Sequence, residues 1–221
     1  MSVLLMIFAL LLISALVQIS EVYEQSQNTR IVIIKDINDK LNAEGIGVQA
    51  DSETGDISIT DSILFDLNDY KLKSSGQDFL RKFIPIYSDA IFQSQATADE
   101  VSRIVIEGHS SSEGAFERNM ELSVLRANSV IAYINKLNSK EAFETKADEE
   151  ATGEAKAIMS MYIDSFLSHR TEFIDKVVIS GRGSLEARQD AVETSDRKVK
   201  FRFQFKDEEF LGNFSEVKKV E

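Results

Sequence analysis

The chain has 221 residues, 43% of them hydrophobic, with 37 acidic and 25 basic side chains and a net charge of −12. That length suits one medium domain with an accessory segment, and the negative field repels nucleic-acid backbones and anionic lipid head groups, so no nucleic-acid partner is expected. There are no cysteines, which excludes disulfide stapling, CxxC redox chemistry and thiolate zinc sites.

Residues 1–20, MSVLLMIFALLLISALVQIS, carry no charge, and Glu21 is the first charged residue. A helix of that length rises about 30 Å, the thickness of a bilayer's hydrocarbon core, so a transmembrane helix is expected here. A cleaved secretory signal would need a basic region ahead of a shorter apolar core, and no Lys or Arg precedes this run. Arg30 and Lys35 follow it, and by charge alone they favour a cytoplasmic C-terminal side.

Residues 21–45 keep a helical pattern, with Val22, Ile33, Ile34, Ile37 and Leu41 at three-to-four spacing and Gly45 as the stop, which suggests a short helical stalk. The stretch GVQADSETGDISI places two short runs around an acidic, glycine-containing turn and predicts a β-hairpin ending near Phe65. Phe79, Leu80, Phe83, Ile84, Tyr87 and Ile91 define the next helix, with Pro85, the only proline, expected to kink it. Val101 to Gly108 reads as a strand, Glu117 to Leu137 as a helix, and Lys176 to Gly181 as a further strand.

Residues 138–175 read as an inserted helical excursion, acidic and Ala-rich, whose charges form a solvated face. From Lys198 to Lys206 the pattern alternates: Val199, Phe201, Phe203 and Phe205 on one face, basic and polar residues on the other. A C-terminal tail, 207–221, completes the chain. The order predicts an α+β domain with helices packed on one face of a mixed sheet. Neither a His-rich zinc motif, nor paired carboxylates in a cleft, nor a nucleophile with its base is visible, so an enzyme is not expected. The two histidines, His109 and His169, are too far apart in sequence to suggest a metal site.

The segment IVIEGHSSSEGAFERNMELSVLRANSVIAYI, residues 104–134, resembles the signature of OmpA-like peptidoglycan-binding domains, in which a strand runs into GH-T-D, then an Asn, then LS-x-x-RA on a helix. Gly108 and His109 open the loop, Asn119 follows, and Leu122, Ser123, Arg126 and Ala127 form the helical part. GRGSLEARQDAVETSDRKVKFRF resembles the family's last loop and strand. The resemblance covers about residues 46–206 and implies an OmpA-like βαβαββ fold that binds diaminopimelate-containing peptidoglycan with no cofactor.

By the resemblance, Arg126 would hold the ligand's carboxylate, which its planar fork suits. The family's aspartate, the partner of the ligand's ammonium, falls at Ser111, which cannot form an ion pair; Glu113 is a candidate substitute. Asn119 and Arg197, the latter in the altered motif DRKV, complete the expected site. On the helix itself, Glu117 and Glu121 offer Arg126 the alternative of a weak surface pair.

The uncharged span, helical stalk and OmpA-like domain together resemble the B subunit of flagellar stators and of related ion-driven motors, including the Zorya anti-phage type. That resemblance implies a homodimer, a multi-span A-type membrane partner, and a single-pass inner-membrane protein with its C-terminal domain in the periplasm. Such subunits work through an aspartate near the start of the span, whereas the polar side chains here are Ser2, Ser14, Gln18 and Ser20. Two readings stay open: Met1 is an internal methionine with the aspartate upstream, or the protein is a non-conducting envelope tether.

Overall fold

The computed structural model describes residues 2–144, 153–188, 190 and 192–206. The tail expected at 207–221 and part of the expected insertion, 145–152, lie outside the described residues.

Helix α1 runs unbroken over Ser2–Ala43, about 63 Å at 1.5 Å per residue. Its first half is apolar and solvent-exposed, and it is long and apolar enough to cross a membrane. Its second half is part of the domain: Ile33, Ile37 and Leu41 are fully buried in the core, and Ser26 donates a hydrogen bond to Glu100. The apolar spacing that suggested a stalk is therefore the spacing of a core-facing stripe. Gly45, at φ +65°, ends the helix in a left-handed conformation that only glycine adopts cheaply.

Of the predicted hairpin, only the second arm is a strand, β1 at Ile57–Thr60; the first is reduced to an isolated bridge from Ala50 to Ile57. Asn38 on α1 holds that first arm from its other edge. Its side-chain amide donates to Ala50 O (3.1 Å) and accepts from Ala50 N (2.7 Å), satisfying backbone groups that face away from β1. The turn matches its composition: Asp51 Oδ1 accepts the amides of Glu53 and Thr54, and Gly55 sits at φ +76°.

After the four-residue α2 (Asp61–Leu64) come α3 (Ser74–Phe92), which passes through Pro85 as one helix, and α4 (Gln95–Glu100). Strand β2 (Val101–His109), α5 (Phe116–Ile134), α6 (Gly153–Lys176), β3 (Val177–Gly183) and β4 (Lys198–Phe205) complete the described elements. The sheet order is β1-β4-β2-β3, with β2 and β3 parallel and the other pairs antiparallel.

The core face of the sheet carries Ile57, Ile59, Ile104, Ile106, Val199, Phe201, Phe203 and Phe205, all buried. Tyr87 of α3 stacks on Phe203 at 5.0 Å and meets Phe201 edge-on at 5.5 Å. The expected α+β architecture, helices on one face of a mixed sheet, is the one observed. Helix α6 is no excursion, however. Phe166 and Phe173 are fully buried and pack edge-to-face at 5.6 Å, joining α6 to α3 as part of the helical layer. Its acidic face is solvated, but its Phe spacing places two anchors in the core.

Candidate functional site

The strand-loop-helix unit β2–α5 is built around close backbone approach. A Cβ on Gly108 would lie 2.8 Å from the carbonyl carbon of Ser123 and nearer still to its oxygen; one on Gly181, the β3 residue paired with Gly108, would lie 2.6 Å from Ser123 Oγ. Two glycines side by side thus let α5 settle onto the sheet. Ser123 then locks it there, its Oγ donating to Met120 O (2.8 Å) and accepting from Gly183 N (3.0 Å).

The loop between β2 and α5 is closed by Asn119. Its Nδ2 donates to the carbonyls of Ser111 (3.1 Å) and Glu113 (2.9 Å), while Ser110 Oγ donates to Asn119 O. Gly114, at φ +92°, allows the turn between them. The structure thus brings Ser111, Glu113 and Asn119 together. Ser111 is buried, and the Glu113 side chain is exposed.

Arg126 lies two turns beyond Asn119 on the same face of α5. It does not pair with Glu117 or Glu121. It is only 1% exposed, and Glu121 pairs instead with Arg118 at 2.8 Å. Arg126 Nη2 lies 2.9 Å from Asp61 Oδ2, its Nε donates to Asp69 O (3.0 Å), and its guanidinium sits 5.3 Å from the centre of the Phe65 ring. Arg197 joins the same cluster: its carbonyl accepts the Asp61 amide (3.0 Å), and its charge acts on both Asp61 and Arg126.

Burial pushes the Asp61 carboxyl above its ordinary value, against the pull of Arg126, Arg197 and Lys73. Burial likewise pulls Arg126 down, with Arg197 adding to it and Asp61 and Asp69 opposing. Among the described residues, Asp61 Oδ1 and Arg126 Nη1 are buried atoms with no hydrogen-bond partner. Asp61 and Phe65 are site residues the sequence reading did not find, because no motif or periodicity links the end of β1 to α5.

The opposite face of the sheet holds a second polar group. His109 Nε2 lies 2.9 Å from Glu107 Oε1, and His109 Nδ1 lies 3.7 Å from Glu186 Oε2. These three residues offer ligand atoms within 4.8 Å of one another. The carboxylates are already engaged, with Lys200 Nζ 3.2 Å from Glu186 and Arg202 Nη1 3.7 Å from Glu107. Burial raises Glu107, but His109, Arg202 and Lys200 together hold it below its ordinary value. A cation would have to displace these protein charges, so the cluster fits an ion-pair network better than a metal centre.

A mixed four-stranded sheet under one helical layer, with a buried Arg–Asp pair at the strand-loop-helix junction, defines an α+β domain. No family model and no curated protein matches the chain. Among solved structures, it is similar to a MotB-like protein from Desulfovibrio vulgaris, with TM-score 0.50 and 15% identity over 83% of this chain and 98% of that one. It is also similar to the periplasmic domain of MotB from Helicobacter pylori (TM-score 0.43, 11% identity, 78% and 90% covered). A third is the cell wall anchor of the T6SS from Pseudomonas aeruginosa (TM-score 0.44, 14% identity, 80% and 99% covered). The Desulfovibrio likeness establishes a shared fold; at such identity it assigns no ligand.

Proposed function

We propose that the chain is a single-pass inner-membrane protein that holds an OmpA-like domain in the periplasm and anchors it to diaminopimelate-containing peptidoglycan. The observation that carries this reading is Arg126: a buried guanidinium with a donor still without a partner, in the helical motif that resembles the family's ligand-binding arginine. Ser111, Glu113, Asn119 and Arg197 complete the binding site in this reading. The role is attachment rather than catalysis.

The test is cosedimentation of the full chain in detergent with purified peptidoglycan sacculi. Arg126→Lys keeps the charge but loses the bidentate fork. It is expected to lower binding about tenfold, the size of one charge-assisted hydrogen bond. A wild-type protein that stays in the supernatant would sink the wall-binding role.

Membrane attachment has its own expected result. The protein should stay in the membrane fraction through a high-salt wash, and a reporter after Glu221 should read as periplasmic, because the exposed apolar half of α1 needs hydrocarbon around it. A soluble, N-terminally trimmed product would contradict the retained span.

Within this reading the finer role is a B-type subunit of a stator-like, ion-driven complex: a homodimer held by a multi-span A-type partner. The unbroken α1 supports it, since a continuous helix transmits force from membrane to domain. The second reading is a non-conducting envelope tether. Co-purification of a multi-span membrane protein with the tagged chain separates the two, and its failure under mild detergent favours the tether.

A further inference from the structure

Five buried side-chain atoms have no hydrogen-bond partner among the described residues. Three of them, Arg81 Nε, Tyr87 OH and Ser88 Oγ, lie apart from the site on α3. The other two, Arg126 Nη1 and Asp61 Oδ1, belong to the two sides of one ion pair whose second atoms already meet at 2.9 Å. The pair therefore presents a cationic donor and an anionic acceptor without a protein partner among the described residues, in a desolvated setting where such groups are costly to leave unmade.

The complement of that arrangement is a ligand with a carboxylate and an ammonium close together. We propose that Asp61, not the residue at position 111, supplies the countercharge for a ligand's ammonium, so that the Asp61–Arg126 pair recognises a zwitterionic α-amino acid head. The ligand carboxylate accepts from Arg126 Nη1 and its ammonium donates to Asp61 Oδ1. This rests on the wall-binding reading above and names the subsite that takes the free amino acid end of diaminopimelate. Ser111 is buried but cannot carry charge, and Glu113 is charged but exposed, with its carbonyl held by Asn119. Neither offers a buried carboxylate, whereas Asp61 does, with Arg126 and Arg197 both acting on it.

Access runs through loop 66–71. A bridge between Phe65 and Leu72 closes its base, and Asp69 O holds it to Arg126 Nε. The tip of the loop faces solvent, with Leu67 72% exposed, and its bonds beyond that one are short-range, as in Asp69 Oδ1 accepting the amides of Tyr70 and Lys71; Asn68, at φ +60°, takes a left-handed turn that asparagine tolerates. An outward shift of this loop releases one bond to Arg126 and opens the pair.

The experiment uses the full chain in detergent and two probes: the tripeptide N-acetyl-L-alanyl-γ-D-glutamyl-meso-diaminopimelate, whose one free ammonium is on the diaminopimelate, and the same peptide acetylated there as well. Calorimetric titration should show the free peptide binding at least about tenfold more tightly than the blocked one. Asp61→Asn should reduce that preference to under about threefold, while Ser111→Ala and Glu113→Gln retain it. Equal binding of the two peptides by the wild-type protein overturns the proposal, and so does a preference that survives Asp61→Asn. If Asp61→Asn fails to fold, the other two variants still decide: loss of the preference in either one places the countercharge elsewhere and overturns it. Cosedimentation with sacculi separates the two levels. A wild-type chain that sediments but ignores the ammonium leaves wall binding standing and removes only the Asp61 role; one that neither sediments nor binds the peptide removes both.

Discussion

Gly108→Ala is expected to cost at least about 3 kcal/mol of stability, beyond the usual range for one added methyl group in a core. The reason is what the new Cβ meets. It would lie 2.8 Å from the carbonyl carbon and 3.0 Å from the Cα of Ser123, so the obstacle is helix backbone rather than a side chain that can rotate away. Relief requires α5 to lift off the sheet. That lift would stretch the contacts Ser123 makes to Gly183 and would displace Asn119 and Arg126 together. Denaturant unfolding of the full chain in detergent checks this, and a loss below about 1 kcal/mol would show that α5 is not seated as described. Gly47→Ala is the control, since a Cβ there meets nothing within 4 Å.

Arg126→Ala should destabilise the domain by about 3–5 kcal/mol, because it leaves the Asp61 carboxylate buried without its counterion. For a domain of this size that is a fall in Tm of roughly 10 °C. This reverses what a surface pair with Glu117 or Glu121 implies, namely an effect of a few tenths of a kcal/mol, about ten times smaller.

The sign of the pH dependence follows from Asp61. Its folded-state pKa is raised by burial, so its ionisation opposes folding: the cost is absent below the unfolded value and grows as pH rises through the raised folded one. Removing Arg126 takes away one of the charges that hold the carboxyl down, which raises it further. The gap between wild type and Arg126→Ala should therefore be widest near neutral pH and should shrink as the solution is acidified and Asp61 protonates. A gap that widens on acidification would mean Asp61 is not the buried partner that matters. Replacing the pair together, Arg126→Met with Asp61→Leu, should recover most of the lost stability while abolishing ligand binding.

These two results draw on different levels of information. The layered α+β order was legible along the chain because periodicity reports which face of each element is buried: alternation in 198–206 gave β4, and three-to-four spacing gave α3 and α5. Gly108, Asn119, Ser123 and Arg126 were legible as a motif. Their physical duties were not: an approach of backbones, a loop closed by one amide, a clamp on Gly183 and a buried ion pair.

By itself, the sequence determined an uncharged apolar run long enough to cross a bilayer, the order of strands and helices, and the strand-loop-helix motif, since all three are written in neighbouring residues. Tertiary structure alone decided that the second half of α1 and the two phenylalanines of α6 are core, because an apolar stripe does not say which surface it covers. It alone decided that the first arm of the expected hairpin meets β1 in a single bridge and is held on its other edge by Asn38. And it alone joined Asp61 to Arg126, two residues far apart along the chain, brought within 2.9 Å because β1 ends where α5 passes and because burial there leaves each charge no better partner than the other.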